Sequence, residues 1–327
     1  MNIDREHIFK IKTEAQFNEL ALEVFNFQMR NIPVYQEFVQ HLNPNWSSIK
    51  TYKVIPFLPI EFFKTHELIA PNKTAEIIFS SSGTTGTSTS KHFVQDVSYY
   101  ENSYQQSFEL FYGFASECCF LALLPNYLER EGSSLIYMID DLIKISQHPE
   151  SSFLLYDHEL LFNKLEKLKK QNQKTVLIGV TYALLDFIEA YQIHFPELII
   201  METGGMKGRR KEMIREELHQ KLCNGFGVKH IHSEYGMTEL LSQAYSKGNG
   251  IFECPPWMKV MIRDVNDPLT YLEQQKTGGI NVIDLANINS CSFIATQDLG
   301  KCYNDNTFEV LGRFDNSDIR GCNLLIS

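Results

Sequence analysis

No run of about eighteen apolar residues occurs anywhere in this 327-residue chain, and a helix that crosses a bilayer needs about that many. The opening residues MNIDREHIFKIK include acids and lack the apolar stretch of a secretory leader. Both absences lead to the expectation of a cytoplasmic protein without a membrane span. A surplus of positive charge is also missing: 30 Lys and Arg stand against 40 Asp and Glu, a net charge of -10. General nucleic-acid binding depends on such a surplus, so no nucleic-acid partner is expected. The most basic stretch, KGRRKEMIREELHQK, is interrupted by Glu212, Glu216 and Glu217 and reads as the wet face of a helix.

Metal and disulfide frameworks are lacking as well. Cys118, Cys119, Cys223, Cys254, Cys291, Cys302 and Cys322 make an odd set with no C-x-x-C pair and no zinc-finger spacing. Most are expected to be reduced, buried and to act as small hydrophobes. His230 and His232 alternate in VKHIHSEYG as residues of a strand entering a loop do. There is no internal repeat and no low-complexity tract.

What is present is enough apolar material for a large core. Hydrophobic residues make up 43% of the chain and aromatic residues 12%, which suits one large domain or two closely packed ones. TEAQFNELALEVFNFQ opens with Thr13 and Gln16 in capping-box spacing, and Phe17, Leu20, Ala21, Val24 and Phe25 fall on one helical face. From AEIIF onward short apolar runs (CFLALL, TVLIGV, ELIIM, VKHIH) alternate with helical ones (DHELLFNKLEKLKKQ, YALLDFIEAYQ, KEMIREELHQKL). Such alternation predicts an α/β fold with a mostly parallel sheet covered by helices. After about Gly248 the pattern turns to strands: WMKVMIRDV, GGINVIDLA, CSFIATQDLG and TFEVLGRF. The expected organisation is an N-terminal helical element over 1–74, an α/β core over 75–248 and a smaller β-rich region over 249–327.

Two stretches carry chemistry. FSSSGTTGTSTSKHF, Phe79 to Phe93, follows the AEIIF strand directly, which predicts a loop at the carboxyl end of a sheet strand, where open α/β sheets bind ligands. Its glycines allow close backbone approach, and its N–H groups and hydroxyls suit a polyphosphate. It is not a Walker A loop, since no Gly-Lys-Ser/Thr follows at the required spacing. HSEYGMTELLSQ, His232 to Gln243, then offers a ring, a hydroxyl and a carboxylate together at Tyr235, Thr238 and Glu239, a set that fits a nucleotide with Mg²⁺.

The first stretch resembles the phosphate loop of the adenylate-forming enzymes, the superfamily of acyl-CoA synthetases and peptide-synthetase adenylation domains, and YGMTE resembles its second core motif. ETGGMKGR, ATQDLGK and VLGRFDNSDIRG follow in that superfamily's order, as its adenine-pocket, aspartate and Gly-Arg hinge segments. LLPNYLEREGSSLIYM, SSGTTGTSTSKH and the ending IRGCNLLIS are similar to acyl-protein synthetases of the LuxE type. The arylacetate-CoA ligases are the next nearest group.

The resemblance implies ATP and Mg²⁺ as cofactors and a fatty or related carboxylic acid as substrate. It implies that Ser81, Ser82, Gly83, Thr84, Thr85 and Gly86 hold phosphates, and that Thr238 contacts the α-phosphate while Glu239 holds the metal. Tyr235 would stack on adenine, with Glu234 and Gly236 beside it in the motif. Gly204 and Gly205 would let the base approach backbone, and Asp298 and Arg313 would engage the ribose. Lys91 follows the loop where a phosphate-clamping lysine is expected, but GTSTSK lacks the usual proline and is two residues longer than Gly-x-Pro-Lys. The chain ends 14 residues after Arg313, so the superfamily's rotating C-terminal domain is expected to be absent. Cys322 matches the cysteine that takes the acyl group as a thioester before passing it to an acceptor protein. Two other readings stand beside this one: a CoA ligase of the phenylacetate type, and a nucleotide-binding protein that has lost catalysis.

Overall fold

The computed structural model describes residues 5–81, 89–124, 132–204, 213–303 and 306–313. In chain order the described elements are α1 (Arg5–Phe9), α2 (Glu14–Asn31), α3 (Pro33–Leu42), β1 (Leu58–Pro59), α4 (Phe62–Thr65), β2 (Ile77–Ser80), β3 (Lys91–Val94), α5 (Ser98–Tyr112), β4 (Cys119–Leu123), α6 (Ser134–Ser146), β5 (Ser152–Phe153), α7 (His158–Lys170), β6 (Thr175–Val180), α8 (Thr181–Ala190), β7 (Ile199–Thr203), α9 (Arg215–Phe226), β8 (His232–Tyr235), β9 (Ala244–Ser246), β10 (Ile251–Glu253), β11 (Met258–Arg263), β12 (Gly278–Asp284), β13 (Phe293–Cys302) and β14 (Phe308–Arg313). They divide between two compact units. One comprises 1–103, 238–242 and 253–327, the other 104–237 and 243–252.

The second unit has the α/β architecture expected from the alternating pattern. Its sheet runs β5-β4-β6-β7-β8-β9, parallel from β5 to β8, with β9 antiparallel to β8. TVLIGV is buried at all six positions of β6, as a central parallel strand covered on both faces must be. Helix α7 starts where Asp157 accepts from Leu160 N and sends Leu161, Leu165 and Leu168 inward.

In the first unit, β11, β12, β13 and β14 form an antiparallel meander, and β1 joins β13 in parallel. Helix α2 begins with the expected capping box: Thr13 Oγ1 accepts from Gln16 N at 3.2 Å and Gln16 Oε1 accepts from Thr13 N at 3.1 Å. Phe17, Leu20, Ala21, Val24 and Phe25 are buried, as their spacing predicts. The same face carries Gln28, whose amide donates to Asn287 O, Ile288 O and Ser292 Oγ at 3.0–3.1 Å. That amide fixes the turn after β12, which carries residues used by the site.

Two sequence expectations change. The AEIIF segment is no member of the large parallel sheet: β2 pairs with β3 alone, antiparallel, with Phe79 opposite His92 and Ser80 opposite Lys91. The hydroxyl-glycine stretch therefore connects the arms of a two-stranded hairpin rather than following a strand of the parallel sheet. In VKHIH, the strand begins only at His232. Among the described residues no helix is long and apolar enough to cross a membrane.

Candidate active site

The hairpin β2–β3 is closed at its root by two bonds, from Ser81 N to Ser90 O at 3.0 Å and from Ser90 N to Ser81 Oγ at 2.9 Å. Ser82, Gly83, Thr84, Thr85 and Gly86 lie outside the described residues. Side chains alternate along β3: Ser90 and His92 are buried, while Lys91 between them is exposed.

The first unit also holds the TELLS part of the second motif, and there the backbone runs without helix or strand. Side chains do what a hydrogen-bond ladder does elsewhere. Asp284, at the end of β12 and fully buried, accepts from Leu241 N at 2.7 Å, Ser242 N at 2.9 Å and Ser242 Oγ at 2.6 Å. It also accepts from Ala286 N at 3.1 Å. Burial raises its carboxyl to about 6, and these four donors work against that rise. Trp257 Nε1 donates to Ser242 Oγ at 3.1 Å and to Ser103 Oγ at 2.9 Å. Asn287 Nδ2 donates to Glu239 O at 2.8 Å.

Glu239 is the buried carboxylate of the motif, 6% exposed. Burial pushes its carboxyl upward; a hydrogen bond with Ser90 and the charges of Arg313 and Lys64 pull the other way. Asp298 and Arg313 face each other across the β13–β14 ladder and form an ion pair at 3.4 Å. Ser81, Thr238, Glu239, Asp298 and Arg313 thus belong to one unit, with Glu239 within electrostatic reach of Arg313.

Lys91 belongs to that unit too, and the remaining described candidates belong to the second. Gly204, with φ +63°, ends β7 in a left-handed turn that suits glycine. Its carbonyl accepts from Thr181 Oγ1 at 2.8 Å. Two carboxylates lie close by. Burial raises Glu202, but His219 at 3.7 Å, the hydrogen bond from Ser233 Oγ at 2.9 Å and the charge of Arg215 prevail, so it is held below its ordinary range. Burial lifts Glu234 to about 7; the hydrogen bond from Thr203 Oγ1, 2.9 Å, opposes this and the Glu202 charge assists it. Tyr235 is buried against the edge of Phe252 at 5.9 Å. A Cβ at Gly236 would fall 2.3 Å from Glu234 Oε1, so a side chain there would displace that carboxylate. Gly205 and Cys322 lie outside the described residues.

Sequence reasoning missed His92, Asp284, Asn287 and Lys64. Only His92 had a signal, its place in the quoted SKH; the others acquire their roles from partners far away in the chain. Among the described residues no group of three or more His, Cys, Asp or Glu is placed to hold a metal ion.

No protein-family model matches the chain, and no curated protein matches it. Solved structures do. The chain is similar to a 2-hydroxyisobutyryl-CoA ligase in the postadenylation state in complex with 2-HIB-AMP (TM-score 0.67, 10% identity, 93% of this chain and 68% of that one). It is similar to ATP-bound MatB from Rhodopseudomonas palustris (TM-score 0.54, 16% identity, 72% and 47%). A third is a long-chain-fatty-acid-CoA ligase, FadD1, from Archaeoglobus fulgidus (TM-score 0.53, 13% identity, 79% and 55%). The chain has the mixed α/β fold of these CoA ligases and spans about half the length of MatB, 47%.

Proposed function

We propose that this chain is an adenylate-forming carboxylate ligase. A fatty or related carboxylate attacks the α-phosphorus of ATP; an acyl O–P bond forms, the bridging Pα–O bond to the β-phosphate breaks, and pyrophosphate leaves. The observation that carries this reading is Glu239, a carboxylate kept at 6% exposure, hydrogen-bonded to Ser90 at the hairpin root and influenced by Arg313 and Lys64. The order of the motifs, and likeness to structures whose names include ATP and an acyl adenylate, support it. The reaction leaves the protein little covalent work, so positioning and charge neutralisation supply most of the rate.

A single carboxylate suits Mg²⁺, which keeps several waters and takes its other ligands from substrate phosphates. Glu239 would hold it, and the ion would neutralise phosphate charge. Asp298 and Arg313 would engage the ribose, Tyr235 the adenine, with Gly204 and Gly205 admitting the base to backbone and Glu234 and Gly236 shaping that side. Thr238 would contact the α-phosphate. Ser81 to Gly86 would hold the phosphates beyond it, with Lys91 as a further cation.

The finer reading is an acyl-protein synthetase of the LuxE type, in which the Cys322 thiolate attacks the acyl carbonyl, AMP leaves and a thioester forms for transfer to an acceptor protein. The rival is transfer to CoA, favoured by the names of the similar structures. Intact-protein mass spectrometry after incubation with ATP, Mg²⁺ and mixed fatty acids, with and without CoA, together with an assay of acyl-CoA, separates them. An acyl mass labile to hydroxylamine is expected on wild type and not on Cys322→Ala. Acyl-CoA formed equally by both proteins, with no adduct, refutes the thioester step; absence of carboxylate-dependent pyrophosphate exchange in any condition refutes the ligase.

A further inference from the structure

The TELLS segment is gripped from two sides. Asp284 holds its end through the N–H groups of Leu241 and Ser242. Its beginning is held through two successive carbonyls, those of Thr238 and Glu239, by His92 and Asn287. His92 is wholly buried, with the Phe63 ring edge-on at 5.5 Å. Its Nδ1 lies 2.9 Å from Thr238 O and its Nε2 lies 2.9 Å from Asn287 Oδ1. Asn287 Nδ2 lies 2.8 Å from Glu239 O.

A main-chain carbonyl only accepts, so the contact with Thr238 requires an N–H on Nδ1. Burial pulls the ring down to about 4, so at neutral pH it has one N–H to give. Asn287 can turn its amide so that Nδ2 donates to Nε2, exchanging its bond to Glu239 O for one to the ring; the Thr238 carbonyl cannot change polarity. The ring proton therefore belongs on Nδ1. Two residues earlier on the same strand face, Ser90 bonds the Glu239 side chain. The hairpin thus holds both the backbone leading into Glu239 and its carboxylate.

We propose that His92 is a positioning residue: as the Nδ1–H tautomer, its ring oriented by Asn287, it fixes the Thr238 carbonyl and so the backbone leading into Glu239 against the β2–β3 hairpin. It touches neither nucleotide nor acid, and acts on adenylation through Glu239. The catalytic consequence rests on the ligase reading above; the structural tie does not.

The test has one arm for each. In the first, ¹⁵N-histidine NMR of wild type is expected to show a neutral His92 ring protonated on Nδ1. Hydrogen–deuterium exchange is expected to quicken about tenfold or more at Leu240–Gln243 in His92→Leu, with β11 and β12 unchanged. An Nε2–H ring, or unaltered exchange in a folded His92→Leu protein, overturns the proposal whatever the activity. In the second, carboxylate-dependent pyrophosphate exchange is expected to lose roughly tenfold to a hundredfold in kcat with KM for ATP within about threefold. His92→Asn, whose amide can replace the Nδ1 donor, should recover most of the loss. A loss confined to KM, or one that His92→Asn does not reduce, overturns the catalytic part. If His92→Leu fails to fold, Asn287→Ser and His92→Asn take its place, and their double variant is expected to lose less than the sum of the two; strict additivity refutes the shared tie. Wild type inactive with every acid would sink the ligase reading, while the first arm still decides the tie.

Discussion

Glu234 and Asp284 are buried carboxyls, and burial asks different things of each. Glu234 titrates near 7 in the folded chain against an ordinary value of 4.5. Between these limits the native state binds a proton that the unfolded state has released. Its contribution is therefore fully present below about pH 4.5 and is lost as pH rises through 7, by about 3 kcal/mol in all. Glu234→Gln removes the ionisation and keeps an acceptor for Thr203. Its denaturant midpoint is expected to match wild type at pH 5 and to exceed it at pH 8; superimposable curves at both would refute the shift. For Asp284 the four donors are the issue. Asp284→Ala strands Leu241 N, Ser242 N and Ala286 N and takes one partner from Ser242 Oγ, at an expected cost of about 3 kcal/mol or more. A urea-denaturation loss under about 1 kcal/mol would mean that water replaces the carboxylate there. Motif residues such as Thr238 and Glu239 were legible in the sequence because a short pattern carries them. Their holders were not: His92 meets Thr238 across 146 positions and Asn287 across 195.

At the scale of elements, local rules were readable wherever one segment contains the whole device. The Thr13–Gln16 capping box lies within four residues and formed as read. Thr13→Ala is expected to cost about 1 kcal/mol and Thr13→Ser almost nothing, checked by denaturant midpoints; equal losses for both would mean that the hydroxyl bond is not what matters. Helix α5 escaped the sequence reading because its inner stripe is disguised. Tyr100, Ser103, Tyr104, Ser107 and Phe108 are buried at helical spacing, yet four of the five have hydroxyls, so apolar periodicity hardly registers. Ser103 is where it is to bond Trp257 and Ser242, a reason no local pattern contains. The β2 strand was seen but given the wrong partner. AEIIF is as apolar as the parallel strands around it, and only pairing with KHFV distinguishes a hairpin arm from a sheet member.

For the whole molecule, the change from alternating elements to strands near Gly248 corresponds to a real change of architecture, from the parallel sheet of β4, β6 and β7 to the antiparallel meander of β11 to β14. What a linear reading lacks is the return of the chain: residues 238–242 belong with the unit that begins at Met1, although both flanking stretches belong to the other. Motif two is split by this return, with Tyr235 on one side and Glu239 on the other. On a chain of net charge -10, an anionic nucleotide would need local cations, and Arg313 and Lys64 near Glu239 would be such cations. If a nucleotide binds, AMP at a hundredfold excess over its Kd adds about 2.7 kcal/mol to folding. With about 2.1 cal/mol/K of unfolding entropy per residue and 327 residues, that raises the melting temperature by about 4 °C. Arg313→Ala, which removes the partner of Asp298 across the ladder, should leave the melting temperature without ligand nearly unchanged, because its side chain is 70% exposed, and should reduce the shift with AMP. A melting temperature that millimolar AMP leaves unmoved in wild type would remove nucleotide binding from the account, and with it the role given to Arg313; a full shift in both proteins would keep the nucleotide and move the ribose contact elsewhere.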